Sequence, residues 1–129
     1  MELAFEKMGG LIPAVIQDAR TSEVLMLGFV NQEALTRSQQ SGEVHFYSRS
    51  RNRLWKKGET SGHVLQVKDI RIDCDADALL IRVDPLGPGV CHEGYSSCFF
   101  RSLQPDGSSR VIAERTFDPA AVYEKKGAE

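Results

Sequence analysis

The chain has 129 residues, and its 18 acidic and 16 basic residues give a net charge of −2. This length predicts one domain, and the near-neutral charge excludes the strongly basic surface of a non-specific nucleic-acid binder. The N-terminus lacks a basic start followed by an apolar run, and the apolar stretches are far shorter than the ~20 residues that cross a bilayer. We therefore expect a cytoplasmic protein with neither a nucleic-acid nor a membrane partner.

The first third of the chain predicts a hairpin followed by a helix. Two apolar runs, residues 11–17 and 24–30, flank turn-forming residues. Pro13 lacks a backbone donor and suggests that the first strand lies at a sheet edge or carries a bulge. Asn31 is a suitable helix N-cap, and Gly42 is a suitable residue to end that helix.

The rest of the chain predicts mostly extended structure. Strands are predicted over residues 44–48, 64–72, 78–83 and 98–103. A polar loop is predicted over 49–62, a turn over 105–108 and a short helix over 119–123. The expected fold class is therefore α+β: one strand-dominated domain with few helices that spans residues 1–129.

All three cysteines and one histidine fall in a short part of the sequence. Cys74, Cys91, His92 and Cys98 lie within 26 residues that begin at Asp73. Thiolates favour Zn²⁺, and three of them are one short of a closed structural site, which leaves a position for a catalytic water. His92 is instead a possible fourth ligand or a general base, and a non-catalytic zinc clip is also compatible with this spacing.

Three aspartates surround the first cysteine. If this part of the chain is an extended strand, Asp73, Asp75 and Asp77 share one face, and Cys74 points to the other. Three like charges repel one another unless a cation lies among them, so the pattern favours a hard divalent ion such as Mg²⁺. The alternatives are a solvated acidic turn, or an EF-hand, which Ala78 disfavours because that loop needs glycine there.

A second informative region is rich in cations, hydroxyl groups and glycine. The first run is residues 48–53, which include Ser48, Arg49, Ser50, Arg51 and Arg53, and it is followed by the run of residues 55–63. Guanidinium groups, hydroxyl donors and exposed glycine amides are typical of phosphate binding, although a solvated basic loop has the same composition. His63, which closes this run, is a possible ligand, base or structural imidazole.

Four runs of the sequence together resemble the phosphoribosyl-AMP cyclohydrolases of histidine biosynthesis. These runs are residues 42–51, 55–63, 73–80 and 91–99, and the overall similarity spans residues 11–101. The resemblance implies a cytoplasmic, intertwined homodimer that depends on zinc and magnesium. It also implies the reaction, which is hydrolysis of the N1–C6 bond of the adenine ring of phosphoribosyl-AMP to the formimino aminoimidazole carboxamide ribonucleotide.

The resemblance assigns roles to individual residues. Cys74, Cys91 and Cys98 would bind zinc, with Cys74 given across the dimer interface, and Asp73, Asp75 and Asp77 would bind magnesium. His63 and His92 would lie at the reacting centre. The substrate would contact Arg49, Ser50, Arg51, Trp55, Lys57, Gly58, Glu59, Thr60, Ser61 and Gly62.

Mechanistically, zinc would lower the pKa of a bound water from ~16 toward ~7, and a histidine would carry a proton to N1 as the ring opens. Some relatives add a pyrophosphohydrolase domain. Only 28 residues follow Arg101, so we expect a single activity and a C-terminal extension, residues 103–129, without a transferable motif.

Two other functions compete with this interpretation. Zinc-dependent purine or nucleotide deaminases also direct activated water at an amidine carbon, but they carry H-x-E and P-C-x-x-C signatures. This chain has no C-x-x-C, and its His92 and Glu93 are adjacent. The other alternative is a zinc-stapled binding module without catalysis, which a closed four-coordinate metal would favour.

Overall fold

The two N-terminal apolar runs form a hairpin that supplies two neighbouring strands of the main sheet. The structure, a computed structural model, describes residues 2–126. After a 3-10 helix at Phe5–Met8, strand β1 (Ile12–Asp18) pairs antiparallel with β2 (Val24–Val30), which confirms the predicted hairpin. Alternate residues of β1 are fully buried and form part of the core.

The remaining elements are α1 (Gln32–Ser41), β3 (His45–Ser48), β4 (Arg53–Lys56), β5 (Leu65–Ile72), β6 (Leu79–Pro85), β7 (Arg101–Leu103), β8 (Ser109–Val111) and α2 (Pro119–Lys126). The main sheet has the order β2-β1-β6-β5, in which β6 runs parallel to β1 and antiparallel to β5. Separate two-stranded sheets are formed by β3–β4 and β7–β8. The predicted strand-dominated α+β domain is confirmed. No helix within residues 2–126 is long and apolar enough to cross a membrane.

Local signals place helix α1 where the sequence predicts it. The Asn31 side chain accepts a hydrogen bond from the backbone N–H of Ala34 at 2.8 Å, which satisfies one of the free donors of the first turn. Gly42 ends the helix with a φ of 75°, a conformation that glycine adopts without a steric penalty. The helix buries Ala34, Leu35 and Ser38.

The predicted edge position of the first strand is wrong. Strand β1 lies between β2 and β6. Its pairing with β6 begins at Ala14, opposite Leu79, so Pro13 stands just before that ladder and its missing N–H is tolerated there. The other alternative, a bulge in this strand, agrees with a register shift in the pairing of β1 with β2, although the shift lies between Ile16 and Gln17 and not at Pro13.

The predicted polar loop over 49–62 contains a strand. Strand β4 pairs with β3, because Leu54 and Trp55 supply apolar side chains that pack against the core. The Trp55 ring lies 5.2 Å from the ring of Phe46. Phe46 in turn packs so closely on Gly28 that a Cβ atom there would lie 2.5 Å from its ring. This hairpin therefore forms one wall of the region rich in arginine.

The predicted extended conformation of the aspartate run is also wrong. Ile72 and Leu79 face each other across β5 and β6, so the chain must reverse between them. It does so in a turn over residues 73–78, in which Asp73 Oδ1 accepts hydrogen bonds from the N–H groups of Asp77 (3.0 Å) and Ala78 (3.2 Å). The antiparallel neighbour of β5 thus excludes a straight strand here.

The C-terminal third largely follows the prediction. The strand predicted over 98–103 is limited to β7, which pairs with β8 across the predicted turn. The predicted short helix is α2, which continues to Lys126.

Candidate active site

Two of the three cysteines lie side by side at the ends of one loop, residues 91–98, which we call the metal loop. Cys91 is buried, Cys98 is exposed, and both are free thiols. Desolvation and the adjacent Cys91 raise the pKa of the Cys98 thiol to about 11, while the positive charge of Lys57 opposes this shift. The backbone N–H of Glu93 lies 3.5 Å from Cys91 Sγ and donates to it. Two adjacent thiols with an amide donor match half of a zinc site.

Backbone hydrogen bonds fix the metal loop. Cys91 N–H donates to the Tyr95 carbonyl at 3.1 Å, and Gly94 N–H donates back to the Cys91 carbonyl at 3.0 Å. At the other end, Cys98 N–H donates to the Leu25 carbonyl of β2 at 2.7 Å. The loop therefore folds back on itself and is attached to the main sheet, which brings the two thiols together.

The third cysteine lies elsewhere in the chain. Cys74 is exposed in the turn between β5 and β6. In the described part of the chain, the one group of three or more potential ligand atoms within 4.8 Å of one another is Asp73, Asp75 and Asp77. A single chain therefore does not assemble the predicted three-thiol site.

The three aspartates do meet, although in a turn rather than on a strand. Lys7 Nζ lies 3.2 Å from Asp77 and 3.9 Å from Asp75. Hydrogen bonding to Asp77 and then Asp73 raises the pKa of Asp75, and hydrogen bonding to Asp75 and then Lys7 lowers that of Asp77. The three carboxylates thus lie close enough to attract a cation, and their oxygen-only donor set fits a hard divalent ion.

His63 has a defined tautomer. Its Nδ1 lies 3.2 Å from the Gly89 carbonyl oxygen, and because a carbonyl can only accept, Nδ1 carries the proton. Whenever the ring is neutral, its lone pair is therefore at Nε2. The second histidine, His92, is exposed on the metal loop next to Cys91.

The glycine-rich run before His63 is a tight turn. Gly58 has a φ of 87°, and a Cβ atom there would lie 2.5 Å from the His63 backbone. Gly62 N–H donates to the Gly58 carbonyl at 2.8 Å, and Ser61 Oγ accepts from His63 N–H at 3.1 Å. These residues build the backbone that carries His63, while Lys57 is buried close to Cys98.

The expected substrate-binding residues divide between this turn and a nearby cavity. A cavity of about 240 Å³ is lined by Ser48, Ser50, Arg51, Arg53, Trp55 and Glu59. Arg49 lines an adjoining cavity of about 540 Å³, with its guanidinium carbon 3.9 Å from the centre of the Phe29 ring. Thr60 is half-buried in the glycine-rich turn.

The region that the sequence predicts to bind phosphate includes Ser48 and Arg53, but the resemblance assigned neither of them a role. They are paired across β3 and β4, so their position depends on a hairpin that the polar composition of this region concealed. Arg53 Nη2 lies 3.3 Å from Glu59 Oε1, which positions a cation at the wall of the cavity.

Comparison with known proteins identifies the family. A sequence model described as Phosphoribosyl-AMP cyclohydrolase matches residues 26–100, more than half of the chain. Phosphoribosyl-AMP cyclohydrolase of Solibacter usitatus (strain Ellin6076) is 54% identical over 123 residues, which cover 95% of this chain and 97% of that protein. The enzyme of the same name from Oleidesulfovibrio alaskensis is 51% identical over 119 residues, which cover 92% of this chain and 91% of that protein. The enzyme of the same name from Haloquadratum walsbyi is 54% identical over 115 residues, which cover 89% of this chain and 83% of that protein.

The matched runs include the metal loop, the aspartate turn and the arginine-rich hairpin. In the three relatives the similarity also continues past residue 100 into the C-terminal part of the chain. The residues that suggested a metal-dependent hydrolase thus lie within an alignment to proteins that all bear one enzyme name, and the chain belongs to the phosphoribosyl-AMP cyclohydrolase family of enzymes.

Proposed function

We propose that this protein hydrolyses the N1–C6 bond of the adenine ring of phosphoribosyl-AMP in histidine biosynthesis. The observation that carries the proposal is the pair of adjacent thiols, Cys91 and Cys98, on the metal loop of a chain from this family. Water adds to C6, the N1–C6 bond breaks, and N1 receives a proton. The single ring-opened product carries an amidine at N1 and a carboxamide at C6.

Cys91, Cys98 and the Cys74 of a second chain would hold zinc. The support is geometric: one chain brings two thiols together and leaves its exposed Cys74 in a separate turn. Two-fold symmetry would then give two equivalent sites in a homodimer. The large exposed apolar side chains of Val24, Leu27 and Phe99 favour such an interface, because Phe99 directly follows Cys98.

When bound, zinc supplies a Lewis acid that makes water nucleophilic near neutral pH. The other steps belong to the protein. His63 accepts a proton from the attacking water at Nε2, since its Nδ1 proton is engaged by the Gly89 carbonyl. It then donates that proton to N1 as the ring opens. Lys57, buried beside Cys98, favours the thiolate form of that ligand by its positive charge.

The carboxylates of Asp73, Asp75 and Asp77 would hold magnesium, which would orient oxygen atoms of the substrate. They fit this ion because their ligand atoms lie within 4.8 Å of one another and already attract one positive charge, the ammonium group of Lys7. The cavity lined by Arg51, Arg53 and Trp55 would bind a phosphate and the adjoining ribose, since guanidinium groups bind phosphate oxygens in a bidentate manner.

The test is incubation of the purified protein with phosphoribosyl-AMP while ring opening is followed by ultraviolet absorbance. We expect turnover that a strong chelator abolishes and that added Zn²⁺ and Mg²⁺ restore. AMP, which lacks the N1 ribosyl group, serves as the matched control and should remain unchanged. Release of ammonia from AMP would instead indicate a deaminase, and zinc binding without any turnover would indicate a zinc-stapled binding module.

A further inference from the structure

The C-terminal segment, residues 112–126, folds back over the metal loop. Thr116 N–H donates to the Gly94 carbonyl at 2.8 Å, and Phe117 N–H reaches the same oxygen at 3.3 Å. Arg115 Nε donates to a second carbonyl of this loop at 2.8 Å, from Glu93. These bonds attach the segment to the loop that carries two of the candidate zinc ligands.

The attachment depends on two glycines. A Cβ atom on Gly94 would lie 2.6 Å from the Phe117 carbonyl oxygen, and one on Gly89 would lie 2.9 Å from Cε1 of the Phe117 ring. Distances below about 3 Å do not occur for real Cβ atoms, so a side chain at either position would displace the segment. The backbone of both glycines therefore provides the surface on which Phe117 packs.

Phe117 meets the imidazole of His63 edge to face. Their ring centres are 5.1 Å apart and the planes are 88° to each other, a favourable arrangement for an aromatic pair. The same imidazole is held by the Gly89 carbonyl at Nδ1. It also lies so close to Gly87 that a Cβ atom there would be 2.7 Å from its Cδ2. The ring is thus restrained by a hydrogen bond, by a stretch of backbone and by the ring of Phe117.

The segment also reaches the second histidine. Tyr123 of α2 lies with its ring centre 6.5 Å from that of Phe117 and 6.5 Å from that of His92. Residues 112–116 are exposed, whereas Phe117 and Tyr123 are both partly buried. The two aromatic residues are therefore the part of the segment that faces the candidate catalytic groups.

We propose that Phe117 is a positioning residue that holds the His63 imidazole in the orientation for proton transfer at Nε2. This inference rests on the function proposed above. An imidazole held only by one hydrogen bond rotates about its terminal side-chain bond and exchanges tautomers with water. Packing against Phe117 removes that freedom, and a misplacement of about 1 Å at a reacting group is able to lower the rate by about 100-fold.

The test compares Phe117→Leu, which keeps an apolar side chain but removes the ring, with Phe117→Tyr, which keeps the ring. Steady-state kinetics on phosphoribosyl-AMP and ¹⁵N chemical shifts of the histidine side chains are measured on each purified protein. His45 is an internal reference, because its Nδ1 lies 2.8 Å from the Glu43 carbonyl. Ile112→Ala, an exposed apolar position earlier in the same segment, is the control for general disturbance of the tail.

We expect Phe117→Leu to lower kcat by about 10- to 100-fold with KM changed less than about twofold. The His63 ¹⁵N shifts should move toward the average of the two tautomers, while the His45 shifts stay constant. Phe117→Tyr and Ile112→Ala should stay close to the unmodified protein. Unchanged His63 shifts, or shifted His63 signals with an unchanged kcat, would overturn the proposal. Inactivity of the unmodified protein would refute the proposed function instead, and the shifts alone would then decide whether Phe117 orders His63.

Discussion

The ammonium group of Lys7 lies 3.2 Å from the carboxylate of Asp77, so the chain places its own cation beside the aspartate turn. Asp77 is also the main cause of the raised pKa of Lys7. The contact joins the N-terminal 3-10 helix to a turn about 70 residues later, and the hydrogen bond from Ala4 N–H to the Ala76 carbonyl at 2.7 Å reinforces it. A divalent ion that binds the aspartates must therefore compete with this side chain.

We predict that Lys7→Gln strengthens the binding of Mg²⁺. Loss of the ammonium group removes a competing positive charge, and because the pair is exposed we expect a modest gain in affinity, about two- to fivefold. Titration calorimetry with Mg²⁺ at low ionic strength measures it. Lys68→Gln, an exposed lysine on β5, removes the same charge away from the turn and should have a smaller effect. Equal or weaker binding in Lys7→Gln would show that Lys7 does not compete for the carboxylates.

A second prediction concerns the separation of the two metal sites. Asp75→Asn should raise the Mg²⁺ concentration needed for activity and leave the zinc content unchanged, because Asp75 belongs to the group of three carboxylates and is not one of the three thiols that would hold zinc. Metal analysis and the Mg²⁺ dependence of the rate measure both quantities. Asp69→Asn is the control, since Asp69 is an exposed carboxylate on β5 that pairs with Arg71. Simultaneous loss of zinc from Asp75→Asn would contradict the separation.

The sequence predicted those elements that are determined by residues adjacent to them in the chain, and it failed where tertiary packing decides the structure. The helix between Asn31 and Gly42 is encoded by residues at its own ends, and its limits were predicted correctly. Strand β4 was not predicted because the residues next to it in the sequence are polar. Leu54 and Trp55 hold it in place by packing against core residues that are distant in the sequence. The aspartates were expected to converge by strand alternation, but they converge because β6 must return along β5.

In the candidate site, too, the features determined by one short segment were predicted and those determined by tertiary contacts were not. The Cys91–Cys98 pair follows from one short loop, and the sequence indicated it. The contact of Phe117 with His63 joins residues far apart in the chain through a glycine-lined surface, and no pattern near either residue predicts it. The sequence therefore assigned no role to the C-terminal extension, although part of it lies against His63 and His92.

A third prediction tests the glycine-rich turn. Gly58→Ala should lower both stability and activity, because the new Cβ would lie 2.5 Å from the His63 backbone at a φ of 87°. Gly107→Ala provides a matched control: its φ is 88°, but no atom lies within 4 Å of the added Cβ. We expect a cost of about 1 kcal/mol for the strained backbone at Gly107 and clearly more at Gly58. Chemical denaturation measures the difference, and equal costs would show that the close approach at His63 is easily relieved.

The last prediction concerns how the zinc site is completed. Cys74→Ser, Cys91→Ser and Cys98→Ser should each lose zinc and activity, since a site of three thiolates retains little affinity after the loss of one. The intact protein should sediment at twice 14.3 kDa, and strong chelation should weaken that dimer, because a ligand shared by two chains links metal binding to association.

Mixing Cys74→Ser chains with Cys91→Ser chains then identifies which chain donates each ligand. If Cys74 serves the partner, a mixed dimer contains one intact site, made of Cys74 from the second variant with Cys91 and Cys98 of the first. Random exchange of subunits makes half of the dimers mixed, each with one of its two sites intact, so about a quarter of the original activity and zinc should return.

The matched control mixes Cys91→Ser with Cys98→Ser. Both substitutions fall in the same thiol pair, so no mixed dimer has an intact site and no recovery is expected. If the first mixture also fails to recover, although labelled subunits are seen to exchange, then all three cysteines of a site come from one chain, and the turn that carries Cys74 must move toward the metal loop when zinc binds.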